Sequence, residues 1–149
     1  MENLDRSEPA LAEPAAARGR LFDLLEAGMG LVNYAGHGSP RWLAGELLSS
    51  DDAARLPNNG RWPIISAMTC LSGFFHHPSE QSLSEALLWA EGGAVATVMP
   101  SSEGITPEQL PLTAAFYRQV AGGQAHSLGE AVLAAKREVI QAGSSSPDL

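Results

Sequence analysis

The chain has 149 residues, with 9 basic and 17 acidic side chains and a net charge of −8. This length allows one domain with a single core. The acidic balance and the scattered basic residues exclude a nucleic-acid binder, which needs a basic surface to neutralise phosphates, and they disfavour an anionic membrane surface. No apolar run approaches the roughly 18 residues that span a bilayer. A single cysteine excludes internal disulfides and four-cysteine zinc sites.

The first third of the chain predicts a lead-in, a helix and a strand. Residues 1–16 are acidic and rich in Ala and Pro, which is typical of a flexible lead-in. Residues 17–27 carry apolar side chains at helical spacing, and Gly28 ends that helix. The apolar run at 30–36 then predicts a strand closed by glycine.

The rest of the chain continues the alternation of helices and strands. A short helix at 51–56, behind Ser50, leads to an apolar strand at 63–70. The following elements are a helix at 82–91, a strand at 94–100, helices at 107–121 and 127–141, and a flexible tail at 143–149. Three of the helix starts match the capping box, in which two side chains satisfy unpaired backbone donors: Ser82 with Glu85, Thr106 with Gln109, and Ser127 with Glu130.

Strands that alternate with helices predict a parallel sheet in an α/β layered fold. All three predicted strands are continuous apolar runs, so we expect each of them to be buried on both faces. Three strands are fewer than the five or six of an average sheet.

Two reactive side chains follow neighbouring predicted strands, at the sheet edge where parallel α/β proteins bind ligands. His37 follows the first strand between Gly36 and Gly38, and Cys70 ends the second. If the two strands are neighbours in the sheet, their axes lie about 4.8 Å apart, and an imidazole and a thiol could then face one gap. A cysteine nucleophile needs such a partner, because an ordinary thiol is mostly protonated at neutral pH. The amides of Gly38 and Cys70 would face a developing oxyanion, and Trp42 would wall the cleft.

Three sequence motifs resemble, in order and separation, the catalytic segment of gingipain-type cysteine peptidases: LVNYAGHGSPRW, ISAMTCLSGFF and SLSEALLWAEGGAVATVMPSS. The later SLGEAVLAAK is similar to the closing helix of that family, so the resemblance covers roughly residues 21–140. It implies a caspase-like α/β three-layer sandwich with a mostly parallel sheet, and a dyad of His37 and Cys70. It also implies an oxyanion hole formed by the amides of Gly38 and Cys70.

The resemblance implies a polypeptide substrate, no cofactor or metal, and an extracellular or cell-envelope location. Catalytic domains of that family have further strands before the first helix matched here. We therefore expect residues 17–142 to be a partial peptidase domain. The N-terminal part of the same domain would be its partner, lying against strand 30–36.

Other interpretations stay open. A strand-end cysteine is more often a buried packing residue than a nucleophile. A caspase-like scaffold that no longer cleaves would keep the same fold. Caspase-like domains of the type associated with helical repeats share a histidine, a cysteine-glycine loop and a late helix, but the GHGSPRW segment and the long polar insert before Cys70 favour the gingipain type. The adjacent His76 and His77 suggest a metal site, but no third ligand follows at a suitable spacing, so a solvated loop is favoured. A serine hydrolase is disfavoured because the GxSxG motif is absent.

Overall fold

The computed structural model describes residues 3–104 and 106–143, without the side chains of 106–108. The predicted order of helices and strands is confirmed. The regular elements are α1 (Pro14–Ala27), β1 (Leu31–Ala35), β2 (Ile64–Met68), α2 (Leu83–Trp89), β3 (Ala96–Val98), α3 (Thr106–Gly122) and α4 (Leu128–Gln141). Short 3₁₀ turns cover Pro9–Leu11, Ala44–Glu46 and Ser50–Arg55. No helix in the described part of the chain is long and apolar enough to cross a bilayer.

The three strands form one parallel sheet in the order β1-β2-β3. Strand β2 lies in the centre and pairs with β1 from Leu31↔Ile64 to Ala35↔Met68. The prediction of an α/β fold with a parallel sheet, and of β1 and β2 as neighbours, is therefore confirmed.

The core that positions β1 and β2 lies on one face of the sheet. Ile65 and Ala67 alternate with Ser66 and Met68 along β2, and all four are buried. Val32 and Tyr34 of β1 pack partly buried against the same core as Ile65 and Ala67. The buried core cluster also includes residues of α1, of α2 and of the segments in and around the 3₁₀ turns. Its members are Leu21, Leu25, Leu43, Leu48, Ala53, Leu56, Ile65, Ala67, Leu83, Ala86, Leu87 and Ala94.

The prediction that all three strands are buried on both faces is wrong for β1, and the three residues of β3 are only partly buried. The burial of β1 alternates, because Leu31, Asn33 and Ala35 are exposed while Val32 and Tyr34 are partly buried. As the first strand of the sheet, β1 has only one neighbour among the described strands. The apolar residues of β1 therefore do not show that both faces of this strand are covered.

Several boundaries differ from the predicted ones. Strand β2 ends at Met68, two residues before Cys70, and β3 covers only Ala96–Val98. Helix α1 begins at Pro14 rather than at Ala17, because proline is favoured at the first helical position, where the missing N–H costs nothing. The predicted tail lies outside the described residues from 144 onward.

The capping predictions have mixed outcomes. The Ser82–Glu85 box is present in full. Ser127 Oγ accepts from the N–H of Glu130, but the Glu130 carboxylate accepts from the N–H of His126, so that box is only half formed. The predicted short helix is a 3₁₀ turn whose box is Ser49 with Asp52, not a helix behind Ser50. The side chain of Thr106 lies outside the described set.

The chain divides into two compact units, Met1–Ser102 and Glu103–Leu149. The first contains the sheet with α1 and α2. In the second, α3 and α4 pack on each other through buried Ala115, Phe116, Ala131 and Ala135. An ion pair between Arg118 and Glu138 joins the same two helices.

An ion pair ties α1 to the segment between β1 and β2. The guanidinium of Arg18 donates to both carboxylate oxygens of Asp52, at 2.8 and 2.5 Å. Asp52 is only 4% exposed and also accepts from the N–H of Ser49 at 2.8 Å. The hydrogen bonds from Arg18, and then those from Ser49, lower the pKa of Asp52 to about 2.

We predict that this carboxylate contributes to acid stability. Because its folded pKa lies below the ordinary value of 3.8, it stabilises the fold above about pH 4, and the contribution is lost as the pH falls toward 2. The difference is about 2 kcal/mol. Denaturant unfolding of the wild type and Asp52→Asn from pH 6 to pH 2 measures it. The wild-type advantage should shrink by that amount, and a constant advantage over this range would contradict the assignment.

Candidate active site

The structure places His37 and Cys70 at the same end of the sheet, beyond the carboxyl ends of β1 and β2. Residues paired between β1 and β2 are 33 positions apart, as are His37 and Cys70. Each lies two residues beyond the last pair, Ala35↔Met68, and Gly36 N–H extends the pairing by donating to the carbonyl of Met68 at 3.4 Å. His37 is exposed and Cys70 is partly exposed. Both side chains are thus carried by loops that leave adjacent parallel strands at the same level.

The loop that carries His37 is held at its backbone. The carbonyl of His37 accepts from the hydroxyl of Tyr34 at 2.7 Å and from the N–H of Ala44 at 2.9 Å. Ser39 N–H donates to the carbonyl of Trp42 at 2.9 Å, so the loop folds back on itself as a short antiparallel ladder. The role of Tyr34 was not apparent from the sequence, in which it is simply a β-forming residue of an apolar run.

Gly38 lies close against the side chain of Thr69. A Cβ at this position would be 2.3 Å from Oγ1 of Thr69, the residue that precedes Cys70. The ladder bonds flank the Gly38↔Leu43 pair, and this arrangement turns the N–H of Gly38 away from the returning strand. The glycine therefore allows the two loops to touch, a reason for its presence that the sequence analysis missed.

The loop that carries Cys70 turns sharply directly after the cysteine. Leu71 has a φ of 59°, a left-handed conformation that is uncommon for a residue with a Cβ. The N–H groups of Leu71 and Gly73 donate to the carbonyls of Ser102 at 3.0 Å and Pro100 at 2.8 Å. The loop is thus anchored to the segment that follows β3, and the strained residue lies beside the candidate nucleophile, as strained backbone often does at functional sites.

Trp42 lies at a pocket beside these loops. Its side chain is 46% exposed and lines a cavity of about 390 Å³ together with Ser39, Arg41 and Asp51. Neither His37 nor Cys70 is among the lining residues. The cavity that Trp42 lines is therefore not one that the candidate pair lines.

The carboxylates whose side chains the structure describes, in residues 3–104 and 109–143, form no hydrogen bond or ion pair with the ring of His37. The carboxylate of Asp52 forms an ion pair with Arg18, and that of Asp51 pairs with Arg41 at 2.9 Å.

The histidines at 76 and 77 belong to a ring cluster after the Cys70 loop. His76 stacks edge to face on Phe74 and Phe75, with centroids 4.1 and 5.3 Å apart. His77 Nδ1 accepts from the N–H of Glu80 at 2.9 Å. Within the described ranges, no group of three or more His, Cys, Asp and Glu side chains is arranged to hold a metal ion.

Comparison with known proteins identifies related sequences and structures. The family model of peptidase family C25 matches residues 3–148. The crystal structure of the Arg-specific cysteine proteinase gingipain R is similar, with a TM-score of 0.77 and 20% identity, over 86% of this chain and 32% of that chain. The complex of the pro- and mature domains of RgpB from Porphyromonas gingivalis has a TM-score of 0.70 and 18% identity, over 83% and 31% of the two chains.

A structure titled only as that of a protease has a TM-score of 0.55 and 24% identity, over 58% of this chain and 19% of that chain. No curated protein matches significantly. The chain spans about a third of the length of the gingipain chains it matches. At these identities the structural likeness establishes a shared caspase-like fold.

We predict that the close approach at Gly38 makes its substitution costly in a way that depends on Thr69. Gly38→Ala should lower the free energy of unfolding by about 1–3 kcal/mol, since the added methyl overpacks the contact. Thr69→Ala removes the opposing atoms, so the double variant should recover much of this loss. Urea unfolding of the four proteins gives the coupling free energy.

The matched control is Gly30→Ala, because a Cβ at Gly30 would meet nothing within 4 Å. This variant should stay close to the wild type. Strictly additive effects of the Gly38 and Thr69 substitutions would show that the two loops do not touch in solution.

Proposed function

This chain belongs to peptidase family C25, and we propose that it carries the nucleophile and the general acid–base of a cysteine endopeptidase domain, Cys70 and His37. The observation that carries the proposal is the position of both residues two steps beyond the same pair, Ala35↔Met68. Loops from adjacent parallel strands are the usual site of chemistry in such sheets.

In the proposed reaction the Cys70 thiolate attacks the carbonyl carbon of the scissile peptide bond, and the π electron pair moves onto the oxygen. The protonated ring of His37 gives its proton to the amide nitrogen as the C–N bond breaks, which releases the amine product and leaves a thioester. Neutral His37 then takes a proton from water. The water oxygen attacks the thioester, and the C–S bond breaks to release the acid product and regenerate the thiolate.

The N–H of Gly38 supports an oxyanion hole at this site. The ladder of the His37 loop turns this N–H away from the returning strand, and the contact with Thr69 holds it beside the Cys70 loop. We assign the second donor to the N–H of Cys70. Preorganised backbone donors of this kind stabilise the charge that develops on the carbonyl oxygen.

The substrate is a polypeptide, and Trp42 forms one wall of the cleft it occupies. Its half-exposed ring beside the His37 loop offers apolar surface to a substrate side chain. Neither nucleic acid nor a membrane is a partner, given the net charge of −8. We place the protein outside the cell or in the cell envelope on the strength of the family resemblance.

The other partner we propose is the rest of a larger peptidase domain, paired with the outer edge of β1. This chain spans about a third of the gingipain chains, and β1 has a neighbour on one side only among the described strands. A cavity of about 510 Å³ runs along β1 and is lined by Leu31, Val32 and Leu4. An unpaired strand edge of this kind is a template for a further strand.

A second candidate function is a caspase-like scaffold without peptidase activity. The observation that favours it is that this chain spans only about a third of the gingipain chains that it matches. In a scaffold the two residues would be adjacent without acting on each other.

The test is whether the reactivity of Cys70 depends on His37. In the peptidase, Cys70 should react with iodoacetamide and with a thiol-directed peptidyl ketone at pH 6. His37→Ala should slow this reaction by at least about tenfold, because the paired thiolate is lost. Labelling rates from pH 5 to pH 9, read by mass spectrometry, together with hydrolysis of a protein substrate, measure the effect.

The control is His126→Ala, which changes an exposed histidine of the second compact unit and should leave the labelling rate unchanged. Equal rates for the wild type and His37→Ala across the whole pH range would refute the dyad. A labelling rate that does not depend on His37, together with no cleavage of the protein substrate, is the result expected of the scaffold.

A further inference from the structure

The loops of His37 and Cys70 are both tied to the first turn of α2. The N–H of Leu83 donates to the carbonyl of Pro40 at 2.6 Å, and the N–H of Ser84 donates to the carbonyl of Ser72 at 2.9 Å. Pro40 lies three residues after His37, and Ser72 lies two after Cys70. Since Leu83 and Ser84 are consecutive in one helical turn, the turn joins the two loops with a fixed separation.

Two side chains hold this turn in place. Ser82 Oγ accepts from the N–H of Glu85 at 3.3 Å, while the Glu85 carboxylate accepts from the N–H of Ser82 at 2.9 Å and from its hydroxyl at 2.7 Å. These bonds from Ser82 lower the pKa of Glu85. Ser82 is only 1% exposed, so water does not compete for its hydroxyl.

The attachment of α2 to the core does not depend on these two side chains. Leu83 and Leu87 are fully buried in the cluster with β2 and hold the body of the helix. The capping bonds instead stabilise the backbone of the first turn, whose N–H groups have no partner within the helix. In α2 the first two of these N–H groups point at the loops of the candidate pair.

We propose that Ser82 and Glu85 are positioning residues of the peptidase site, which hold the His37 and Cys70 loops in register through the first turn of α2. The inference rests on the proposed function for its effect on chemistry. The coupling of the two loops through α2 is testable without it.

The test compares Ser82→Ala and Glu85→Ala with Glu85→Gln, which keeps an acceptor oxygen and should rescue the cap. Hydrogen exchange should speed up about tenfold in both segments, 38–42 and 71–74, in the two alanine variants, while exchange in β2 stays slow. The labelling of Cys70 at pH 6 should lose its dependence on His37 to a similar extent. Glu85→Gln should behave as the wild type in both measurements.

The matched control is Ser127→Ala in α4, where Ser127 caps its helix through the same bond to the third residue. It should change exchange at the start of α4 and leave the loops and the labelling unchanged. If Ser82→Ala does not fold, the comparison of Glu85→Ala with Glu85→Gln decides whether the cap positions the loops, since Glu85 is partly exposed.

The outcomes separate this inference from the proposed function. If labelling of the wild type never depends on His37, the dyad fails, and hydrogen exchange alone decides whether α2 couples the loops. If the dyad holds but the alanine variants leave exchange in both segments unchanged, the positioning role is overturned. Faster exchange with an unaltered pH profile of labelling also overturns it, because the cap would then be structural only.

Discussion

The register between β1 and β2 is the constraint on which the candidate site depends. Parallel pairing from Leu31↔Ile64 to Ala35↔Met68 brings residues 37 and 70 to the same level. Since strand side chains alternate between faces, a slip of one residue would turn Val32 and Tyr34 out of the core. The packing of these two in the same core as Ile65 and Ala67 therefore fixes the register, and the hydrophobic core thereby aligns the two loops.

Beyond the sheet, the two loops lie close together because glycines leave room for the approach, as well as because hydrogen bonds join the segments. A methyl group at Gly38 would collide with Thr69, and one at Gly73 would lie 2.5 Å from the carbonyl oxygen of Met99. The loops after β1, β2 and β3 thus lie in close contact with one another. Strain at Leu71 fits this picture, because the chain must turn directly after Cys70 to bring Gly73 against the segment that follows β3.

The sequence predicts the order of elements and the adjacency of His37 and Cys70, because both follow from local periodicity and from the rules of parallel sheets. The exposed face of β1 could not be predicted, since Leu31 and Ala35 look the same in a covered and an uncovered strand. The capping box at Ser82 is visible in the sequence, but the use of the N–H groups of Leu83 and Ser84 is not. Those bonds join residues 43 and 12 positions apart, which no local pattern reports.

The open side of β1 connects the fold to the proposed chemistry. A cleft between strand ends needs walls on both sides of the reacting groups. The Cys70 loop and α2 lie on one side of the His37 loop, whereas on its other side β1 has no neighbouring strand among the described residues, and Ala35 at the end of β1 is exposed. A polypeptide held at His37 would therefore leave that side open to water, which weakens electrostatic stabilisation of an oxyanion. Under the proposed function, a strand that pairs with β1 would complete the cleft as well as the sheet, so strand addition and catalytic competence are expected to be coupled.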